Sequence, residues 1–128
     1  MEKLVYKELS YEICGLLFKV HNELGRFKNE KQYSDYFEQL LKDSRMRYVR
    51  ECRIDKAFPG EKDARNICDF IIEDKIIVEF KVKNFLSKDD YFQVRRYLSC
   101  TGLKLAIIVN FRQKYITPKR VLNNEVQI

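Results

Sequence analysis

The order of apolar patterns along this chain predicts a mixed α/β fold, a small β-sheet covered by α-helices on both faces. Three observations carry that prediction. The N-terminal part repeats apolar residues at helical spacing, the middle holds two β-rich runs around a short polar connection, and the C-terminal part reads strand, helix, strand. At 128 residues the chain has the length of one domain, 1–128, with room for a single hydrophobic core.

Val5, Leu9, Ile13, Leu16, Val20 and Leu24 recur at spacings of four and three, one stripe of a long helix that stops near Gly25. Asn29 is a suitable N-cap for a second helix over 30–43, with Tyr33, Phe37 and Leu40 or Leu41 on its inner face. Residues 47–54 read as a strand with mixed alternation, and Phe58–Asp63 as a turn punctuated by Pro59 and Gly60. Strands are expected over 66–72 and 76–83, joined by Glu73-Asp74-Lys75. A helix over 88–100 ends before Gly102, and the apolar run Leu105–Val109 fits a central strand covered on both faces. A last strand is expected over 114–122.

Composition narrows the function. No stretch approaches the ~20 apolar residues of a membrane span, and the N-terminus lacks the basic-then-apolar order of a secretory signal, so a cytoplasmic location is expected and no membrane partner. Cys14, Cys52, Cys68 and Cys100 are scattered singly, without the Cys-x-x-Cys spacing of zinc or redox sites, and read as buried thiols. His21 is the only histidine, which argues against His-metal clusters and Ser-His or Cys-His catalysis; its helical setting suggests a structural role. Lys and Arg number 25 against 19 Asp and Glu, and the resulting charge of +6 favours a polyanionic partner.

The most informative segment runs from Asp69 to Lys81, where carboxylates and an ammonium stand among Ile, Val and Phe. Burying such charges is expensive unless they are paired or hold a metal. Strand alternation puts Glu79 and Lys81 on one face, their Cα atoms roughly 6.5–7 Å apart. Asp69 joins them under a condition. A three-residue connection at 73–75 places it opposite Glu79, whereas a two-residue connection places it opposite Val78 and on the wrong face. The absence of an Asn-Gly or Asp-Gly pair favours the three-residue register.

Two carboxylates can hold a hard divalent cation such as magnesium, and a neighbouring lysine can orient water or stabilise charge on a phosphate. A solvent-facing strand with weak Glu–Lys ion pairs would show the same pattern. Glu30 shares a helix face with Tyr33 and Phe37; it either complements the helix dipole, the simpler reading of this segment, or points a third carboxylate into a site. Gln93 and Tyr97, four apart, also share a face, and Gln93 could bond a water, a phosphate or Lys81. Lys83, Lys88, Arg95 and Arg96, with Arg112, Lys114, Lys119 and Arg120, could contact phosphates or simply be solvated.

The run from Gln93 through Tyr97, Thr101-Gly102-Leu103 and Leu105 to Asn110-Phe111, followed by Lys119-Arg120-Val121, resembles the C-terminal half of the GxxExxY proteins of the PD-(D/E)XK nuclease superfamily. Asp69 and Glu79-Phe80-Lys81 stand where that family has Asp and Glu-x-Lys, and His21-Asn22-Glu23-Leu24-Gly25 and Glu30-x-x-Tyr33 are similar to its helical segments. The similarity spans roughly residues 8–122. One departure is Phe27, where the glycine that names the motif would fall.

The resemblance implies a restriction-endonuclease-like fold, a central mixed β-sheet flanked by α-helices, and a nuclease using Mg or Mn. Asp69, Glu79, Glu30 and the Phe80 carbonyl would be metal ligands. Asp69, Glu79, Lys81, Glu30 and Gln93 would be catalytic. Tyr33, Lys83, Lys88, Arg95, Arg96 and Tyr97 would contact nucleic acid, DNA first. A non-catalytic subunit that kept the fold is the alternative, and both a homodimer and a place in a larger assembly stay open.

Overall fold

The computed structural model describes residues 5–54, 58–62 and 66–125. Its elements are α1 (Lys7–Leu24), α2 (Glu30–Asp43), β1 (Tyr48–Arg53), β2 (Ile67–Ile72), β3 (Ile76–Lys81), α3 (Lys88–Thr101), β4 (Leu105–Asn110) and β5 (Lys119–Leu122). The five strands lie in chain order, antiparallel except β3 and β4, which run parallel because α3 carries the chain across the sheet. The sheet is therefore mixed, and the expected architecture is present.

Helices α1 and α2 cover one face, where Ile13, Leu17, Phe37, Phe70, Val78 and Phe80 pack together. Helix α3 covers the other, over Cys68, Ile77, Ala106 and Ile108. On α1 the fully buried leucine is Leu17, whereas Leu16 of the expected stripe is half-buried: the helix lies on a core wider than one row of side chains can fill. Strand β5 begins at Lys119 rather than 114, since Pro118 lacks the N–H a ladder needs. The turn at Phe58 has Pro59 second and Gly60 third at φ 92°, closed by Glu61 N–H on the Phe58 carbonyl. Asp63, its expected end, lies outside the described residues.

Helix α2 starts where a capping box holds it. Asn29 Oδ1 accepts the Gln32 N–H and Gln32 Oε1 accepts the Asn29 N–H, both at 2.9 Å. The loop entering it is tied down by Tyr33, whose hydroxyl donates to the Gly25 carbonyl (2.6 Å) and accepts from the Lys28 N–H (3.2 Å). Phe27 needs no glycine conformation here: it is exposed, and the positive φ of the loop falls on Gly25 at 76°.

The β2–β3 hairpin has the register on which Asp69 depends. Phe70 pairs with Val78, Ile71 with Ile77 and Ile72 with Ile76, leaving 73–75 as the connection. Glu73 and Asp74 take φ of 54° and 55°, and the Lys75 N–H returns to the Ile72 carbonyl at 3.0 Å. Two successive left-handed residues supply the turn without an Asn-Gly pair.

Candidate active site at the ends of β2 and β3

Strands β1 and β2 change face side by side. Tyr48 and Phe70 pack toward α1 and α2, while Cys52 and Cys68 pack toward α3, although residues two or four apart in a regular strand share a face. At the change Glu51 adopts φ 52°, across the ladder from Asp69. Asp69 therefore turns toward β3 just where the regular β2–β3 pairing stops.

There the two carboxylates replace the missing ladder bonds. Glu79 Oε1 accepts the Asp69 N–H at 2.6 Å, and Asp69 Oδ2 accepts the Phe80 N–H at 2.7 Å. Each acid thus holds the other's strand, and the backbone donors of the splayed strands are satisfied. Glu79 is only 3% exposed. Burial and then the Asp69 charge push its carboxyl up to about 8, and burial also raises Asp69 despite the Phe80 N–H and Lys81. Glu30 lies at the exposed start of α2, and partial burial followed by the Asp69 charge raises it too. Glu30, Glu51 and Asp69 share a cleft of about 260 Å³ with Lys31, Ser34 and Arg50.

Lys81 leaves the same face of β3 as Glu79. Its Nζ donates to Gln93 Oε1 at 2.7 Å and stands 3.9 Å from Asp90 Oδ1. Asp90 is a buried hub that accepts the Ser87 N–H at 2.7 Å, which fixes the start of α3, and pairs with Lys83 Nζ at 2.9 Å. Burial raises its carboxyl, but the Ser87 N–H and Lys83 outweigh that, and its pKa ends below the usual range.

The family profile of the PD-(D/E)XK nuclease superfamily matches residues 7–121. The chain belongs to the PD-(D/E)XK nuclease superfamily. Two solved structures share the fold. LHK-Exo in complex with dAMP aligns with TM-score 0.55 and 13% identity over 91% of this chain and 70% of that one. LHK-Exo described as an alkaline exonuclease from Laribacter hongkongensis aligns with TM-score 0.50 and 14% identity over 97% and 73%. No curated protein sequence matches the chain. The mixed sheet with flanking helices is thus a restriction-endonuclease-like fold.

PD-(D/E)XK nucleases generally use divalent metal ions. Among the described residues no three His, Cys, Asp or Glu side chains converge as a ready-made metal cage. The donors still suit a hard cation. Asp69 and Glu79 each commit one oxygen to a backbone N–H, and the burial that raises both carboxyls, together with the Asp69 charge on Glu79, is the imbalance a cation relieves. Magnesium commonly takes one or two protein carboxylates and keeps waters or phosphate oxygens for the rest.

Asp69, Glu79, Lys81 and Gln93 are therefore brought together, with Glu30 at the mouth of the adjoining cleft. The two tyrosines are corrected as nucleic-acid contacts. Tyr33 is fully buried against Phe111 with ring centroids 4.3 Å apart, and its hydroxyl is spent on the loop before α2. Tyr97 is 3% exposed and packs beside Glu79; burial and then the Glu79 charge push its phenol up to about 12. Both rings went inward because an apolar ring on a helix's inner face gains more from the core than from solvent. Lys83 is engaged by Asp90, and Arg96 by Asn66 (3.2 Å), while Lys88 and Arg95 are exposed on α3. Arg120, for which the sequence leaves phosphate contact and simple solvation both open, ties β5 to the start of the chain's first helix through Ser10 Oγ (2.6 Å) and the preceding Val5 carbonyl (2.7 Å).

Two acids escaped the sequence reading. Asp90 had a legible signal, since it lies three residues after the helix-capping Ser87. Glu51 had none, because nothing local announces that its strand changes face. His21 is structural, as expected: its Nε2 bonds the Gln113 carbonyl at 2.8 Å.

Proposed function

We propose that this protein is a metal-dependent nuclease of the GxxExxY type that hydrolyses phosphodiester bonds in nucleic acid, DNA first. The observation that supports the reading best is the pair of carboxylates exchanging backbone N–H bonds at the fork of β2 and β3, with a lysine anchored beside them. A structural ion pair would hold these carboxyls ionised and below their usual range, whereas here burial keeps both raised despite Lys81.

In this reading Asp69 and Glu79 hold a Mg²⁺ or Mn²⁺ ion, with the Phe80 carbonyl and Glu30 as further oxygen donors. A divalent ion so held polarises a phosphoryl oxygen and lowers the pKa of bound water. The chain's own residues do the rest. Gln93 keeps the Lys81 ammonium on the Glu79 side of the sheet, where its charge opposes the negative charge that grows on the phosphate. Asp90 holds Lys83 and the start of α3, so Gln93 sits on a capped, rigid turn. The exposed cations Lys88 and Arg95 on α3 are phosphate contacts outside the reacting centre.

The test is cleavage of labelled single- and double-stranded DNA and RNA with Mg²⁺, with Mn²⁺ and with EDTA. Cleavage is expected only with metal, and Lys81→Ala and Asp69→Asn should each lower it by roughly 100-fold or more. Metal-independent cleavage, or a Lys81→Ala variant as active as the parent, overturns the reading. Salt-sensitive binding without any cleavage would instead mark a binding subunit that kept the fold.

A further inference from the structure

Three loops meet at the carboxyl ends of the parallel strands β3 and β4, the end of an open α/β sheet where ligands usually bind. They are residues 25–29 before α2, 82–87 after β3 and 111–118 after β4. Side chains stitch them together. Asn110 Nδ2 donates to the Lys83 carbonyl at 2.8 Å while its Oδ1 accepts the Lys83 N–H at 3.1 Å. Arg26 and Arg112 each donate Nε to the other's carbonyl at 3.0 Å.

Each loop presents one large aromatic ring to solvent: Phe27 is 80% exposed, Phe85 78% and Tyr115 78%. Exposed rings occur elsewhere on the surface, but these sit in a distinctive charge setting. The loops carry Arg26, Lys28, Arg112 and Lys114, besides Lys83, which Asp90 engages, and contain no Asp or Glu of their own. Arg26 lies over the Phe27 ring at 5.3 Å and Lys114 over the Tyr115 ring at 5.5 Å, so a cation accompanies two of the three rings. The loop bearing Phe27 leads directly into Glu30, and the loop bearing Phe85 leaves directly from the strand of Glu79 and Lys81.

We propose that these three loops form a platform for an unpaired nucleic-acid strand, with bases stacked on Phe27, Phe85 and Tyr115 and phosphates met by the adjacent cations, leading that strand to the Asp69–Glu79 fork. Bases of any sequence offer a π-face, and cations between the rings track the backbone, the combination used for sequence-tolerant binding of single strands. A duplex keeps its bases stacked inside and offers these rings nothing, so the platform favours an end, a gap or a single strand. The inference rests on the nucleic-acid reading above for its partner.

The experiment is fluorescence anisotropy of labelled oligothymidine and of a blunt duplex of equal length, in EDTA. The intact protein should bind the single strand more tightly than the duplex. The triple variant Phe27→Leu, Phe85→Leu, Tyr115→Leu, which keeps apolar bulk but removes the rings, should weaken single-strand binding at least tenfold and duplex binding less than twofold. The ring-retaining triple Phe27→Tyr, Phe85→Tyr, Tyr115→Phe should restore the single-strand preference. Unchanged single-strand binding in the ring-less variant, an equal loss on both substrates, or no single-strand preference in the intact protein overturns the proposal. Metal-dependent cleavage alongside any of those results leaves the nuclease standing and removes the platform. Ring-dependent binding without cleavage under any metal does the reverse.

Discussion

Glu79 is a carboxylate with almost no exposed surface, bonded to the Asp69 N–H and repelled by the Asp69 charge. Its carboxyl sits at about 8 in the fold, against about 4.3 in an unfolded chain. Between those values the folded state binds the extra proton, so this group's contribution to stability is complete below the unfolded pKa. It is lost as pH rises toward the folded one. In chelator the stability should therefore fall from pH 5 to pH 8 by at most about 1.4 kcal/mol per pH unit from this group, and the melting temperature with it. Glu79→Gln should flatten that slope. Added Mn²⁺ should raise the melting temperature of the parent at pH 8 and leave Glu79→Gln nearly unmoved, since binding to the folded state alone stabilises it. Differential scanning fluorimetry across pH, with and without metal, reads both outcomes. A flat parental profile would mean that Glu79 ionises as an ordinary carboxylate and that no repulsion between the two acids awaits a cation.

At the scale of elements, α2 matters because it carries Glu30, and both its ends are built. Its start is the Asn29–Gln32 capping box, and Asn29→Ala should cost about 1 kcal/mol. Its end is a Schellman turn: the Arg45 N–H bonds the Lys42 carbonyl and the Met46 N–H bonds the Leu41 carbonyl, each at 3.1 Å. Arg45 holds φ 58° there, a conformation glycine adopts without strain. Arg45→Gly should therefore stabilise the protein by about 0.5–1 kcal/mol, visible as a higher denaturant midpoint at unchanged slope. The N-cap Asn29 was legible, since Asn before a helical stripe is a local signal. The C-terminal turn was not, because an arginine in that conformation has no sequence signature. The connection between β2 and β3 lies between those cases: its length could be inferred, but its left-handed Glu73 and Asp74 could not.

Across the whole molecule, one aromatic cluster joins α2 to the strands that carry the site. Phe37 meets Phe70 edge-on with centroids 5.0 Å apart and Phe80 at 5.3 Å, and Phe80 meets Phe111 at 4.9 Å. Arg50 reinforces this join at the rim, bonding Asp35 at 2.7 Å and Glu38 at 3.1 Å. Phe37→Ala should cost about 3–5 kcal/mol by transfer and cavity terms. Because Phe70 and Phe80 flank Asp69 and Glu79 in the chain, metal affinity should fall along with stability, and calorimetric Mn²⁺ titration of the folded variant would register it. A variant that loses stability but keeps full metal affinity would separate core from site.

The sequence by itself determined the element order, the inward face of α2 and the shared face of Glu79 and Lys81. Each follows from local periodicity, which a single strand or helix expresses without its neighbours. The run from Gln93 to Phe111, with Asp69 and Glu79-Phe80-Lys81 in matching places, also pointed to the superfamily to which the chain belongs. Only the tertiary structure decided that the two carboxylates exchange backbone bonds, that Glu51 stands at the change of face, that Asp90 governs Lys83, and that Tyr97 turns inward. Those facts depend on where one strand's pairing stops against another's and on which face the core claims. Residues distant in the chain settle both, through backbone hydrogen bonds that must be satisfied and apolar surface that must be covered.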